Sequence, residues 1–187
     1  VAGFVPEQQE QVRLCSEMGL GPCRLEDIEV MGESIETVHF DLTRLNGNVL
    51  EMPVAYCLDR LGRGELDIIL KGLQMYKFVT DEDAPASSRK EVTAQLLEVI
   101  DIDGYIEKAL SCLPESGVRV LDLIIERGGT SGNFYDIINT YTAETNESNS
   151  FFAGLRSLTR LGLAFLFHGQ FKPCILLAEG VERGTRA

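Results

Sequence analysis

The sequence predicts an α+β protein in which helices predominate, and three observations carry this prediction. Apolar residues recur with the 3.6-residue period of amphipathic helices through most of the chain after Pro53. Near the C-terminus, residues 163–168 and 174–178 are short apolar runs on either side of a Gly- and Pro-containing loop, the pattern of a β-hairpin. Residues 36–45 alternate apolar and polar side chains, which is typical of a half-buried strand.

Composition excludes several classes of protein. The chain has 187 residues, 44% of them hydrophobic and 25% charged, close to globular averages and unlike disordered or collagen-like chains. It shows no signal-peptide pattern, and its longest apolar run, residues 161–167, is too short to cross a bilayer. We therefore expect a cytoplasmic protein with no membrane partner.

Charge and sequence breaks divide the chain into three predicted segments. They are an acidic N-terminal domain (1–88), a connector helix (89–115) and a C-terminal domain (116–187), with the acidic, Pro-containing stretch 80–88 as the boundary. From Ser111 onward, seven basic and eight acidic residues give 7 − 8 = −1, whereas the remainder gives 10 − 21 = −11. An acidic N-terminal part should repel a phosphate backbone, while the C-terminal part can approach one.

In the N-terminal domain the sequence predicts a short helix at Pro6–Met18 and then a β-hairpin. The hairpin joins the strand 36–45 to a partner at Asn48–Met52 through the tight-turn pair Asn46 and Gly47. Pro53 should limit the length of the ladder, because proline cannot donate to it.

Two helices are predicted between Pro53 and Val79, separated by Gly62-Arg63-Gly64 and followed by the apolar stretch Tyr76–Val79. This order is a weaker copy of the C-terminal pattern. It leaves open a second interpretation, in which the N-terminal part is itself a degenerate helical or winged unit with a β-hairpin.

The rest of the chain is predicted to form helices that end at glycine, proline or polar residues. Residues 89–113 form a helix interrupted at Asp103-Gly104, and Val118–Arg127 and Asn133–Thr142 form the next two. After a polar turn at 144–150, a last helix is capped by Asn149 or Ser150 and stops at Gly162, which tolerates a left-handed conformation.

The last helix has two opposite faces at 100° per residue. Its core stripe consists of Phe151, Phe152, Leu155 and Leu158. The face expected to be exposed consists of Ala153, Arg156, Ser157 and Arg160.

The order helix, glycine break, helix, polar turn, helix and hairpin over residues 116–179 resembles a winged helix-turn-helix domain. The string Leu155–Leu163, LRSLTRLGL, is similar to the end of many recognition helices. The turn at 144–150 is longer than the three or four residues of a compact helix-turn-helix, which argues against standard major-groove docking. The resemblance implies a non-enzymatic DNA-binding or transcription-regulatory protein with a double-stranded DNA partner.

The resemblance also implies a set of DNA-binding residues. Arg156 and Arg160 would reach phosphates or guanine edges, Ser157 would donate to a phosphate, and Lys172 at the wing tip would contact the adjacent backbone. Since so few cations predict modest affinity, a tandem or homodimeric arrangement would strengthen binding.

Two alternatives stay open. The arginines are equally compatible with a solvated helix face. Winged-helix domains also serve as protein–protein interaction modules or adaptor subunits, and the acidic N-terminal part would then engage a basic protein partner.

No constellation predicts an enzyme, a cofactor or a metal site. The glycine-rich stretch 128–132 lacks the lysine of a phosphate loop, and His39 and His168 have no ligands at zinc spacing. Residues 101–104 lack the ligand spacing of a calcium loop. The five cysteines form no CxxC pair, so we expect reduced thiols.

Overall fold

The computed structural model of the chain describes residues 21–22, 50–80, 88–127, 134–168 and 173–186. Within these residues the helices are α1 (Val54–Arg60), α2 (Arg63–Met75), α3 (Arg89–Ile100), α4 (Tyr105–Ser111), α5 (Glu115–Arg127), α6 (Phe134–Thr145), α7 (Ser148–Arg160) and α8 (Val181–Thr185). The strands are β1 (Gly21–Pro22), β2 (Glu51–Met52), β3 (Ala164–His168) and β4 (Pro173–Ala178). The predicted fold class, α+β with a predominance of helix, is confirmed.

One sheet with the strand order β1-β3-β4-β2 runs through the described residues. β3 and β4 form the predicted antiparallel pair, with Phe165 opposite Leu176. β1 lies antiparallel to β3 on one side, and β2 lies parallel to β4 on the other. Side chains 164–166 and 175–178 are all buried, so the base of the hairpin is an interior part of the sheet.

The second strand of the predicted N-terminal hairpin also takes part in a longer-range pairing. Glu51 and Met52 are a strand, but Glu51 is in register with Leu177 of β4. The buried Pro53 ends this short ladder, and α1 starts directly after it. The other predicted strand, 36–45, and the predicted helix at 6–18 lie outside the described residues.

The two helices predicted after Pro53 are α1 and α2. The interpretation of the following stretch, Tyr76–Val79, as a counterpart of the C-terminal hairpin is wrong. These residues form the C-terminal cap of α2, in which the amide of Phe78 donates to the carbonyl of Leu73 (2.8 Å). Lys77 takes the left-handed conformation of such a cap, with φ 64°. The backbone of Tyr76–Val79 therefore caps α2 and does not form a strand.

The predicted break at Asp103-Gly104 is confirmed as the boundary between α3 and α4. Gly104 has φ 84°, a conformation that side chains disfavour and that redirects the chain. At the other end of α3, Ser88 and Glu91 form a reciprocal capping box, with the hydroxyl of Ser88 accepting from the Glu91 amide (3.2 Å).

The turn between α6 and α7 is shorter than predicted. Only Asn146 and Glu147 lie between the two helices. Two residues suffice because Asn146 adopts φ 58° and the Thr145 hydroxyl accepts from the Glu147 amide at 3.3 Å. The prediction of a long turn at 144–150 is wrong, and so is the departure from compact helix-turn-helix spacing inferred from it.

The start of α7 also differs from the prediction, whereas its end agrees. Glu147 is the N-terminal cap residue and makes no side-chain cap bond. Ser150 lies inside the first turn, where its hydroxyl is 2.8 Å from the Tyr141 hydroxyl. Gly162 has φ 66° and the Leu163 amide donates to Leu158, so the left-handed stop at Gly162 is confirmed.

A single hydrophobic core holds these elements together. It extends from Met52 to Val181 and includes residues of all three predicted segments. α5 and α7 make the most extensive helix–helix contact. At the edge of this core, the Glu51 carboxylate accepts from the amides of Gly180 (3.0 Å) and Glu182 (2.7 Å), which ties β2 to α8. None of the described helices has the length and apolarity that a membrane-spanning helix needs.

Candidate nucleic-acid interface

α7 is held on two sides by helices that approach it at glycines. A Cβ placed on Gly154 would lie 2.6 Å from the carbonyl oxygen of Ser116, so α5 contacts the α7 backbone there. A Cβ placed on Gly72 of α2 would lie 2.7 Å from the Cβ of Arg160. α5 therefore fixes the N-terminal half of α7, and α2 fixes its C-terminal end.

The remaining side of α7 faces solvent. Residues 149, 153, 156 and 160 recur at three- and four-residue spacing and share this side. Asn149, Ala153 and Arg160 are exposed, and Arg156 is half-buried. Phe151, Leu155 and Leu158 lie on the opposite side and are fully buried. We call the four solvent-side residues the α7 stripe.

Ser157 does not belong to this stripe, and its prediction as an exposed residue is wrong. Its side chain is buried at the contact with α5, where a Cβ on Gly117 would lie 2.6 Å from its hydroxyl oxygen. That hydroxyl donates to the carbonyl of Gly154 (2.6 Å). Because Gly117 lets α5 approach closely, the buried arc of α7 is wider than the helical period suggests.

The fourth predicted DNA-binding residue, Lys172, lies outside the described residues. The structure thus brings Arg156 and Arg160 together on one face and removes Ser157 from it.

The α7 stripe lies in a part of the chain without carboxylates. Residues 148–178 contain no Asp or Glu, although the whole chain has 29 acidic residues and a net charge of −12. The cations in this stretch are Arg156, Arg160 and Lys172. An anion that approaches this stretch would therefore meet no carboxylate of the stretch itself, despite the charge of the whole molecule.

Arg119, a cation on the neighbouring helix α5, is committed to an ion pair. Its guanidinium donates to both carboxylate oxygens of Glu144 on α6, at 2.7 and 2.9 Å. These hydrogen bonds to Glu144 raise the pKa of the Arg119 guanidinium above its usual value. Arg119 therefore fastens α5 to α6 and is not counted in the interface.

Residues of α2 border the α7 stripe, and the sequence analysis missed them. Gly72 is the contact point with Arg160, and Ile68 and Met75 are exposed one turn on either side of Gly72. Lys71 is also exposed. The sequence signal for this contact was Gly72 itself, because a glycine in the middle of a helical pattern often marks a close approach by another backbone.

A cavity of about 730 Å³ lies elsewhere, between the α3–α4 connection and α8. Its lining includes four carboxylates, on Asp101, Asp103, Glu107 and Glu179, against the guanidinium of Arg183. A polyanion would be repelled there, so the cavity and the α7 stripe are separate features.

The described residues offer no group of three or more His, Cys, Asp or Glu side chains that could hold a metal ion. Cys57 is a buried thiol and Cys112 a half-buried one, and neither is part of a disulfide. No protein-family model matches the chain, and neither a curated protein nor a solved structure shows significant similarity to it.

Proposed function

We propose that this protein is a non-enzymatic DNA-binding regulator that docks double-stranded DNA on the α7 stripe. The observation that carries the proposal is the exposed Arg160 beside Arg156, on a helix whose own sequence and following hairpin lack acidic residues. The order α5, α6, α7, β3, β4, with a two-residue turn before α7, supports a winged helix-turn-helix reading of this part.

The chemistry of the stripe suits phosphate and guanine. Arginine presents a planar fork of donors that matches phosphate oxygens or the O6 and N7 atoms of guanine. Residues four apart on a helix lie about 6 Å apart along the axis and on the same side, so both arginines can follow one groove. Two or three contacts against a net charge of −12 predict weak binding with a modest salt dependence, a slope of log K against log salt of about −2 to −3.

The first test of this proposal is anisotropy titration of a labelled random-sequence duplex at two salt concentrations. Arg156→Glu/Arg160→Glu should weaken binding by at least about tenfold. It should also make the negative slope of log K against log salt shallower by about two. The matched control is Lys90→Glu/Lys108→Glu, at exposed positions on α3 and α4. Both variants carry the same net charge, −12 − 4 = −16. Equal losses in the two variants would show a general charge effect and contradict docking on α7.

A second candidate function, a protein–protein interaction module, is favoured by one specific observation. Ile68 and Met75 on α2 are large, exposed apolar side chains one turn on either side of Gly72, which contacts Arg160 of the α7 stripe. Apolar residues of this kind are more typical of protein interfaces than of phosphate-binding surfaces.

A further inference from the structure

α2 carries a row of exposed side chains along its outer face. Ile68 is 43% and Met75 56% exposed, and the two lie seven residues apart, on the same side of the helix. Lys71 lies between them and is exposed. We call these three residues the α2 row.

The α2 row lies beside the C-terminal end of α7. Gly72 is in contact with Arg160, and Ile68 and Met75 are its i − 4 and i + 3 neighbours on the surface of α2. Arg160 is exposed, and its Cβ lies against the turn of α2 that separates the two apolar residues. This part of α2 and the end of α7 together expose two large apolar side chains and two cations, Lys71 and Arg160.

The acidic residue closest in sequence to the row is already engaged. Asp67 accepts from the guanidinium of Arg63 at 3.0 Å, one turn earlier on α2. Lys71 of the row and the neighbouring Arg160 of α7 thus present positive charge on a molecule whose net charge is −12. Charge complementarity calls for a partner surface that is negative.

We propose that the α2 row and Arg160 dock an acidic, amphipathic α-helix of a protein partner. The distance from Ile68 to Met75 is two helical turns, about 10 Å, which matches the spacing of anchor residues on a helix that lies in a groove. Apolar side chains of the partner cover Ile68 and Met75, and its carboxylates pair with Lys71 and Arg160.

A second copy of this chain fits the same surface poorly. A twofold contact that places Ile68 of one copy on Met75 of the other brings both Lys71 side chains to the axis, with both Arg160 side chains beside them. Four positive charges would then face each other, and like charges at an interface are costly. The charge of the surface therefore favours a different, acidic partner.

Docking of a helix depends on Ile68, Lys71 and Met75, which DNA docking on the α7 stripe does not use. Arg160 alone is shared between the two surfaces, so a docked helix would cover it and compete with DNA. Loss of the apolar pair should weaken peptide binding and leave DNA binding intact.

The test uses the full chain and a fluorescein-labelled peptide of about 16 residues, long enough to form a helix. One peptide carries Leu on one helical face and Glu on its flanks, and a second has Lys in place of each Glu. The acidic peptide should bind at least about tenfold more tightly than the basic one. Ile68→Ser/Met75→Ser should weaken its binding by at least about tenfold. The control Ile102→Ser/Val118→Ser, at exposed apolar residues elsewhere, should bind like the wild type.

Equal affinity for the two peptides, or unchanged binding by Ile68→Ser/Met75→Ser, would overturn the proposal. Loss of duplex binding in Ile68→Ser/Met75→Ser, with circular dichroism showing a folded protein, would also overturn it and assign the row to the DNA surface. Failure of DNA docking would instead appear in the Arg156→Glu/Arg160→Glu titration and would leave the peptide results unchanged.

Discussion

The hydroxyl of Tyr105 links two parts of the chain that are distant in sequence. It lies in the core and donates to the carbonyl of Leu161 at the end of α7 (2.5 Å). Burial raises the pKa of Tyr105 well above its usual value, and the neighbouring Cys112 adds to the shift. The neutral phenol is therefore part of what holds α4 against α7.

This raised pKa predicts a pH dependence of stability. Below pH 10, the usual pKa of tyrosine, the phenol is neutral in both states and its contribution to stability is complete. Above pH 10 only the unfolded state releases the proton, so wild-type stability falls by up to about 1.4 kcal/mol per pH unit from this group. Tyr105→Phe should cost about 1 kcal/mol at pH 8 through the lost hydrogen bond. The deficit should shrink or reverse at pH 11. Urea unfolding at both pH values measures this, and a constant deficit would contradict it.

Single residues also show what the sequence can and cannot predict. The left-handed helix stop at Gly162 was predictable, because a glycine at the end of an apolar helical pattern commonly ends the helix in this conformation. Ser157 was not, since the helical period gives a side chain its angle but not the distance of the neighbouring helix. That distance depends on Gly117, which lies 40 residues earlier in the chain.

At the scale of elements, α7 depends on small residues at its crossings. Gly154 allows α5 to contact the α7 backbone, and Gly72 allows α2 to contact Arg160. Alanine in either place would have to push two helices apart, although alanine favours the helix by about 1 kcal/mol over glycine. Overpacking of this kind typically costs 1–3 kcal/mol.

We therefore expect Gly154→Ala to destabilise the protein by about 1–3 kcal/mol. The matched control is Gly64→Ala in α2, where the glycine is exposed and the substitution should leave stability equal or raise it by up to about 1 kcal/mol. Chemical unfolding of both variants gives the comparison. A stabilised Gly154→Ala would show that α5 and α7 are further apart than described.

Local elements were more predictable than their pairing. The predicted helices between Pro53 and Gly162 appear, with boundaries that shift by a few residues, because each has a complete apolar period and a clear break. The parallel pairing of β2 with β4 could not be predicted from the sequence, because it joins strands more than 100 residues apart and leaves no local pattern. The length of the α6–α7 turn was misjudged because Asn146 reverses the chain within two residues.

For the whole molecule, the candidate site was predicted in part. The charge pattern and the helical period led to Arg156 and Arg160, and the structure places both on one solvent side of α7. The bordering α2 row was missed, because the contact between Gly72 and Arg160 arises only when segments 88 residues apart pack together.

Site-specific photo-crosslinking tests most directly whether duplex DNA lies against the α7 stripe. Ala153 is exposed at the middle of the stripe, and Ala94 is an equally simple exposed position on α3. Each residue is replaced in turn by p-benzoylphenylalanine. The resulting variant is then irradiated together with a labelled duplex at low salt. We predict a crosslink from position 153, suppressed by salt and by Arg156→Glu/Arg160→Glu, and none above background from position 94. Equal crosslinking from both positions, or crosslinking from 94 alone, would contradict DNA docking on α7.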